Sequence, residues 1–308
     1  MADQLIYLDG TLVPPEQATV SVYDHGLLYG DGIYEGMRAY HGAVFQLRPH
    51  LQRLHRSARC LHLDLGLNTD ELEQAVLATL RANDLSDAYI RLVVTRGSGK
   101  IGPNPASCPR SRLVIITEPT PPVHGAGAAD TGLSARIVTI RRDPVDATTH
   151  QIKSLNYLNS VQATLEATHA GADEAIMLDT RGFVSESSVC NVFMLRDGEL
   201  ATPGESSAIL RGITRDVVLD LAGADYTTAE RDITPYELLT ADEIFLTGTH
   251  AEIVPITSIN AIPIGDGRPG DTYRTVVARF RDATLDPRYT TSILDPNRPI
   301  FPVRMRPA

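Results

Sequence analysis

Between Glu118 and Asp130 the chain runs Glu-Pro-Thr-Pro-Pro-Val-His-Gly-Ala-Gly-Ala-Ala-Asp, a stretch too rich in proline, glycine and alanine to form the inside of a core. It divides 308 residues into two patterned halves, at a total length where single cores stop growing. The expected organisation is an N-terminal α+β domain over 1–118, a connecting loop over 119–131 and a second domain over 132–285. A tail over 286–308, with five prolines and four arginines, is expected to be extended or disordered and outside both cores.

Within each half, strands come in runs, unlike regular βαβ alternation, so the fold class is α+β. Leu5 to Val13 should turn at Asp9-Gly10, and Met37 to Leu47 at His41-Gly42. Gly30-Asp31-Gly32 lacks the third glycine of a dinucleotide fingerprint, with Glu35 in its place, and reads as a tight turn between strands. Pro49 to Leu61 reads as a helix with Leu51, Leu54 and Ala58 on one face, and Asn68 to Glu71 as a capping box opening a helix to about Asn83. Strands follow at Ala88–Arg96 and Arg112–Glu118. The second half predicts strands at Leu133–Arg141, Glu174–Leu178 and Phe183–Leu195, with others near Tyr226 and Ile244. Helices are expected at Leu155–His169, Ile213–Leu221 and Asp271–Ala283.

A net charge of −10 without a basic block argues against nucleic acid as the main partner. No apolar run reaches the ~18 residues of a membrane span, and Met1 to Gly10 carries Asp3 and Asp9 without a basic leader region. The three cysteines, Cys60, Cys108 and Cys190, are an odd number without framework spacing. A soluble cytoplasmic protein is the expectation. His50 and His55 lie five apart on a helix and share a face poorly, and no metal-ligand spacing occurs elsewhere, so no metal is expected.

Lysine has nearly vanished from this chain: of 28 basic residues only Lys100 and Lys153 are lysine. An amine can attack a carbonyl and form a Schiff base, which a guanidinium cannot do. Lys100 lies in a turn-like Gly97-to-Gly102 stretch and reads as a solvated charge, whereas Lys153 lies in the more apolar Ile152-Lys153-Ser154-Leu155. Gly212-Ile213-Thr214 opens a helix with free N–H groups and a hydroxyl, which suits a phosphate. Thr249, after a strand, offers a second hydroxyl and Arg53 a charge; helix cap and solvated arginine are the plainer alternatives. Glu186 is an acid in an apolar strand region, costly to bury unless paired with a cation or a protonated nitrogen. An amine, an anion cup and an acid within one domain are what pyridoxal phosphate needs.

The chain resembles the class IV pyridoxal-phosphate aminotransferases, and among them the branched-chain amino-acid aminotransferases. The resemblance runs from about Ile6 to Ala283 and rests on six blocks. They are Tyr29 to Gly36, His50 to Leu54, Ile152 to Asn159, Ser185-Glu186 with Asn191-Val192-Phe193, Leu210 to Arg215, and Gly248 to Glu252. It implies a two-domain fold of type IV with the cofactor between the domains, and a homodimer or larger assembly whose neighbouring subunit lends loop residues. It assigns Lys153 as the Schiff-base lysine, Glu186 as the acid at the pyridine nitrogen and Tyr157 as the phenol beside the ring oxygen. Arg53, Ile213, Thr214 and Thr249 become the phosphate cup. Tyr89-Ile90-Arg91 and Gly102-Pro103-Asn104-Pro105 resemble branched-chain members, and Tyr29, Tyr34, Tyr89, Arg91 and His250 become substrate-pocket residues. His250 stands where the family usually has a small residue, and Cys190 where it is often acidic or small. The implied reaction moves an amino group between branched-chain L-amino acids and 2-oxoglutarate. The alternatives are a D-amino-acid or (R)-amine transaminase of the same fold, then 4-amino-4-deoxychorismate lyase, and last a non-catalytic phosphate-ligand binder.

Overall fold

In the computed structural model, which describes residues 4–119, 127–294 and 304–305, both N-terminal turn signals close hairpins. Asp9, Gly10, His41 and Gly42 all take positive φ, the backbone that a two-residue hairpin turn requires. Strand β1 (Ile6–Leu8) thereby folds onto β2 (Thr11–Val13). Before the second hairpin comes a short helix that sequence reasoning missed, α1 (His25–Tyr29), capped by the Asp24 carboxylate on Gly26 N–H. Gly30 ends α1 at a φ of 67°, so the Gly30-Asp31-Gly32 turn joins a helix to a strand, not two strands. Strand β3 (Gly32–Tyr40) then pairs with β4 (Ala43–Phe45).

Helix α2 (Leu47–Cys60) is followed by α3 (Thr69–Ala82), opened by the expected reciprocal cap between Asn68 and Glu71. Strands β5 (Ala88–Thr95) and β6 (Arg112–Glu118) continue the sheet. Alternate residues Ile33 and Met37 of β3, and Ile90, Leu92 and Val94 of β5, share a core with Leu51, Leu54 and Ala58 of α2 and Leu72, Val76 and Leu80 of α3. Each of these side chains larger than alanine contributes about 1.5–3 kcal/mol on burial.

The second half runs α4 (Ala128–Thr131), β7 (Leu133–Arg141), α5 (Leu158–His169), β8 (Glu174–Leu178), β9 (Val184–Ser187), β10 (Asn191–Arg196) and β11 (Glu199–Thr202). It continues with α6 (Ile213–Ala222), β12 (Thr227–Glu230), α7 (Pro235–Leu239), β13 (Glu243–Gly248), β14 (Glu252–Ile259), β15 (Ile262–Pro263) and α8 (Asp271–Leu285). The stretch expected as one strand over Phe183–Leu195 is two. Ser187 N–H bonds Cys190 O and the Ser187 hydroxyl accepts from Cys190 N–H, closing a turn. Strand β9 pairs with β8 while β10 pairs with β11 and β13. A nine-stranded sheet results, ordered β12-β11-β10-β13-β14-β7-β8-β9 with β15 on β14.

The tail corrects a second expectation. Strand β16 (Thr290–Ser292) pairs with β4, and β17 (Arg304–Met305) pairs with β2. Ile293 is buried in the first core, its N–H bonded to Gly42 O and its carbonyl to Arg81 Nε. The free edges of β4 and β2 accept this extended chain because extension leaves its N–H and C=O groups available. The first sheet is therefore eight-stranded, β16-β4-β3-β5-β6-β1-β2-β17. Residues 120–126 of the connecting loop, and 295–303 and 306–308 of the tail, lie outside the described residues.

Two compact units emerge: Met1–Thr120 with Ile152–Asn156 and Thr284–Ala308, and Pro121–Gln151 with Tyr157–Ala283. The amine, the phosphate-type helix start and the acid, expected within one domain, are thus divided: Lys153 belongs to the first unit, Glu186 and Thr214 to the second. Among the described residues, no helix is long and apolar enough to cross a membrane.

Candidate active site

In the first unit, Ile152–Asn156 lies along β3. Tyr34 N–H donates to Lys153 O and Leu155 N–H donates to Gly32 O, both at 3.0 Å, and Ser154 bridges to Ile33. A Cβ at Gly32 would sit 2.6 Å from Leu155 Cδ1 and 2.6 Å from Val94 O, so only glycine admits this contact. Lys153 is half-buried, with Nζ 4.6 Å from the centre of the Tyr34 ring. The guanidinium of Arg91 lies over the same ring at 3.5 Å, and its Nη1 is 3.4 Å from the Tyr89 hydroxyl. Lysine, arginine and two tyrosines meet because Tyr34 on β3 and Tyr89 and Arg91 on β5 point to one face, opposite the core. Tyr89 reaches across Gly36, where a Cβ would lie 2.4 Å from its hydroxyl oxygen. Tyr29 is not shown in this group: its hydroxyl accepts from Gly102 N–H at 2.6 Å and its ring meets His25 edge-on. Lys100 is exposed.

Arg53 is no solvated helical arginine. Helix α2 carries a buried polar stripe, His50, Arg53 and Ser57, at spacing i, i+3 and i+7 beside its apolar one. Arg53 donates from Nε and Nη2 to the two oxygens of Glu35, each at 2.8 Å. His50 Nδ1 lies 2.7 Å from Glu35 Oε2. Burial alone would push the Glu35 carboxyl up, but Arg53 and then His50 outweigh it and hold its pKa at about 2. Burial pushes His50 down, with Arg53 and Lys153 adding to the effect and Glu35 opposing it. Ser57 Oγ, one turn further on, lies 3.4 Å from Lys153 N.

In the second unit, Glu186 is buried on β9 and fully engaged by donors. Arg142 Nη2 bonds Oε1, while Asn191 Nδ2 and Leu210 N–H donate to Oε2 at 3.0 and 3.1 Å. Arg142 is itself held by Ser160 Oγ on α5 at 3.0 Å. His150 Nε2 lies 3.0 Å from Asp143, and burial, with Arg142, pushes this imidazole down. Asn191 Nδ2 also reaches Leu210 O at 2.8 Å. Gly212 is the N-cap of α6, so no side chain caps the helix and Ile213 and Thr214 present their N–H groups at its start. Thr214 is buried. Arg215 behind it is fully buried and anchors the helix through Pro203 O and Glu230. Thr249 is half-buried in the turn after β13, and His250 beside it is exposed. Tyr157, half-buried, is the N-cap residue of α5.

Sequence reasoning named neither Arg142, Asn191, Glu35 nor His50 as a site residue. Glu35, His50 and Asn191 stood inside quoted blocks, and the His50–Arg53 spacing of three was a readable signal. Arg142 pairs with an acid 44 residues away, and nothing local marks such a contact.

Residues 32–259 match the amino-transferase class IV family model. A putative branched-chain-amino-acid aminotransferase of Methanocaldococcus jannaschii is 47% identical over 278 residues, 90% of this chain and 95% of that protein. The crystal structure of the Escherichia coli branched-chain amino acid aminotransferase superposes with a TM-score of 0.92 at 32% identity, covering 95% of this chain and 100% of that one. The branched-chain amino acid aminotransferase from Thermobaculum terrenum, in its PLP-bound holo form, gives 0.87 at 30% identity over 96% and 99%. Matched over well more than half its length, this chain belongs to the class IV aminotransferases.

Proposed function

We propose that this chain transfers amino groups from branched-chain L-amino acids to 2-oxoglutarate, giving branched 2-oxo acids and L-glutamate, with Lys153 as its reactive amine. It is a branched-chain amino-acid aminotransferase that works with pyridoxal 5'-phosphate. The observation carrying the residue assignment is the setting of Lys153, the one of the two lysines that is not exposed, clamped by its backbone to β3 and set against Tyr34 beside Arg91.

The residues present fit the cofactor. The start of α6, without a capping side chain, suits a phosphate through Ile213 and Thr214 N–H and the Thr214 hydroxyl; Thr249 and Arg53 are the other phosphate ligands in this reading. Glu186, ordered by Arg142, Asn191 and Leu210, suits a protonated ring nitrogen, and Tyr157 the ring oxygen. When bound, pyridoxal phosphate supplies an aldehyde for the amino group and a ring that accepts an electron pair. Lys153 Nζ takes the substrate's Cα proton as a general base. Tyr34 and Tyr89 offer apolar faces to a branched side chain, and Arg91 a guanidinium to the carboxylate of glutamate. Tyr29 and His250 complete the pocket assignment by their places in the family blocks.

Exposed Val22, Tyr23, Leu27 and Ile101 on the first unit support a second copy as partner. The three cysteines, free of disulfides, support a reducing cytoplasm. Borohydride reduction of the cofactor-loaded protein followed by peptide mapping should label Lys153; a label elsewhere would overturn its role. Single-turnover reactions with L-leucine, L-isoleucine, L-glutamate, D-alanine and (R)-1-phenylethylamine should be fastest for the first three.

A further inference from the structure

The buried Glu35 carboxylate is more than a counter-ion. It meets Arg53 through two of the three guanidinium nitrogens, at 2.8 Å each, and its Oε2 is gripped again by His50 at 2.7 Å. All three side chains are almost completely buried, so the carboxylate has one position and the guanidinium plane one orientation. With its Nε and Nη2 edge held by Glu35, the Arg53 guanidinium plane is fixed in direction. A carboxylate beside it also cancels its charge, so what Arg53 offers an anion is alignment more than net charge.

We propose that Glu35, itself fixed by His50, is a positioning residue that aims Arg53 at the cofactor phosphate. The inference rests on the reading of Arg53 as a phosphate ligand. Sequence supports the division of labour: Glu35 lies on the core side of β3, one residue from Tyr34 on the opposite face, while His50 and Arg53 are one turn apart on α2. A rigid strand and a rigid helix thus hold the aim, which serves a ligand whose misplacement by about 1 Å can cost on the order of 100-fold in rate.

The test uses the full-length protein freed of cofactor and titrated with pyridoxal 5'-phosphate and with pyridoxal, which lacks the phosphate. The ratio of the pyridoxal Kd to the pyridoxal 5'-phosphate Kd reads phosphate recognition separately from folding and ring binding. Glu35→Asp keeps the charge but withdraws the carboxylate by one methylene, and should lower that ratio about tenfold. The double variant Glu35→Gln with Arg53→Met removes both charges together, leaves no unpaired buried ion, and should lower the ratio about 100-fold. If the double variant keeps the wild-type ratio, Arg53 does not meet the phosphate and the underlying reading fails. If it loses the ratio while Glu35→Asp keeps it, Arg53 binds phosphate unaided and only the positioning role is overturned. Equal weakening of both ligands in Glu35→Asp would reduce Glu35 to a structural ion pair. Should Glu35→Asp not fold, His50→Gln carries the same test, with a loss of a few-fold in the ratio expected and an unchanged ratio overturning the proposal.

Discussion

At the residue scale the decisive contrast is between two lysines and many arginines. Lys153→Arg keeps the charge and most of the volume but cannot make the covalent bond that the reaction needs. Turnover should fall by about 10,000-fold or more, beyond what loss of an acid–base group alone costs, while thermal stability without cofactor changes little. Steady-state assays on the two lysine variants check this, since Lys100→Arg alters an exposed side chain and should be silent. Arg91 offers a sharper question because it stacks on Tyr34 and nears Tyr89. An apolar side chain gains nothing from a guanidinium, whereas a dicarboxylate gains a charge-assisted pair. Arg91→Met should therefore slow the single turnover of L-glutamate by about 10- to 150-fold, equivalent to about 1.5–3 kcal/mol, and that of L-leucine far less. Equal losses would mean that Arg91 holds the α-carboxylate common to both. Lys153 was legible because scarcity makes a residue stand out in a composition. Arg142 was not, because its meaning lies in a partner far along the chain, and a surplus of arginines hides any one of them.

At the element scale, local signals decided what could be read. The hairpin turns, the capping box and the alternation of β5 are short-range features, and the strand Arg112–Glu118 was placed to the residue. The break inside Phe183–Leu195 was missed because its serine-rich turn is flanked by strand formers on both sides. That break also orders the second unit's site, since it places Glu186 on one strand and Asn191 on the next. A Cβ at Gly212 would sit 2.0 Å from Asn191 Oδ1. Gly212→Ala must displace Asn191 and with it the bonds to Glu186 and Leu210 O. The cost should be on the order of 2 kcal/mol, visible as a lower urea midpoint, with weaker cofactor retention. Gly212 has an ordinary extended backbone with φ −73° and ψ 136°, so unaltered stability would show that Asn191 yields freely.

Helix α2 and strand β3 also carry a pH prediction. His50 is pushed down on folding by burial, Arg53 and Lys153 against the pull of Glu35. The unfolded chain therefore binds a proton near pH 6.5 that the folded one refuses. Its contribution to stability is complete above that pH and is lost as pH falls. Glu35, held at about 2 against an ordinary 4.5, acts in the same direction lower down, between those two values. Urea midpoints should fall as pH drops below about 6.5, and His50→Gln should flatten the first part of that decline. An identical slope in the variant would exclude His50 as a source.

At the scale of the whole molecule, the two compact units are not two consecutive stretches of chain. Residues 152–156 and 284 onward return to the first unit, and a returning strand is invisible to a linear reading because edge pairing depends on backbone, not on side-chain type. The surface poses the last question. Val22, Tyr23, Leu27 and Ile101 are all more than half exposed on the first unit, and Leu158 and Leu165, with Val161 close behind at 49%, form a stripe along α5 of the second. Single exposed apolar residues are common, but two groups of this kind are a poor surface for a monomer. A stable assembly needs roughly 800 Å² from each partner, and charge placed inside such an area opposes it by desolvation. Sedimentation of the wild-type protein at micromolar concentration should give a dimer or a larger species. Leu27→Asp with Ile101→Asp should shift it toward monomer if the first group is the contact, while Val161→Asp should leave the dimer intact. The opposite result would assign the contact to α5, and a wild-type protein that sediments as a monomer would remove the second copy from the proposed function.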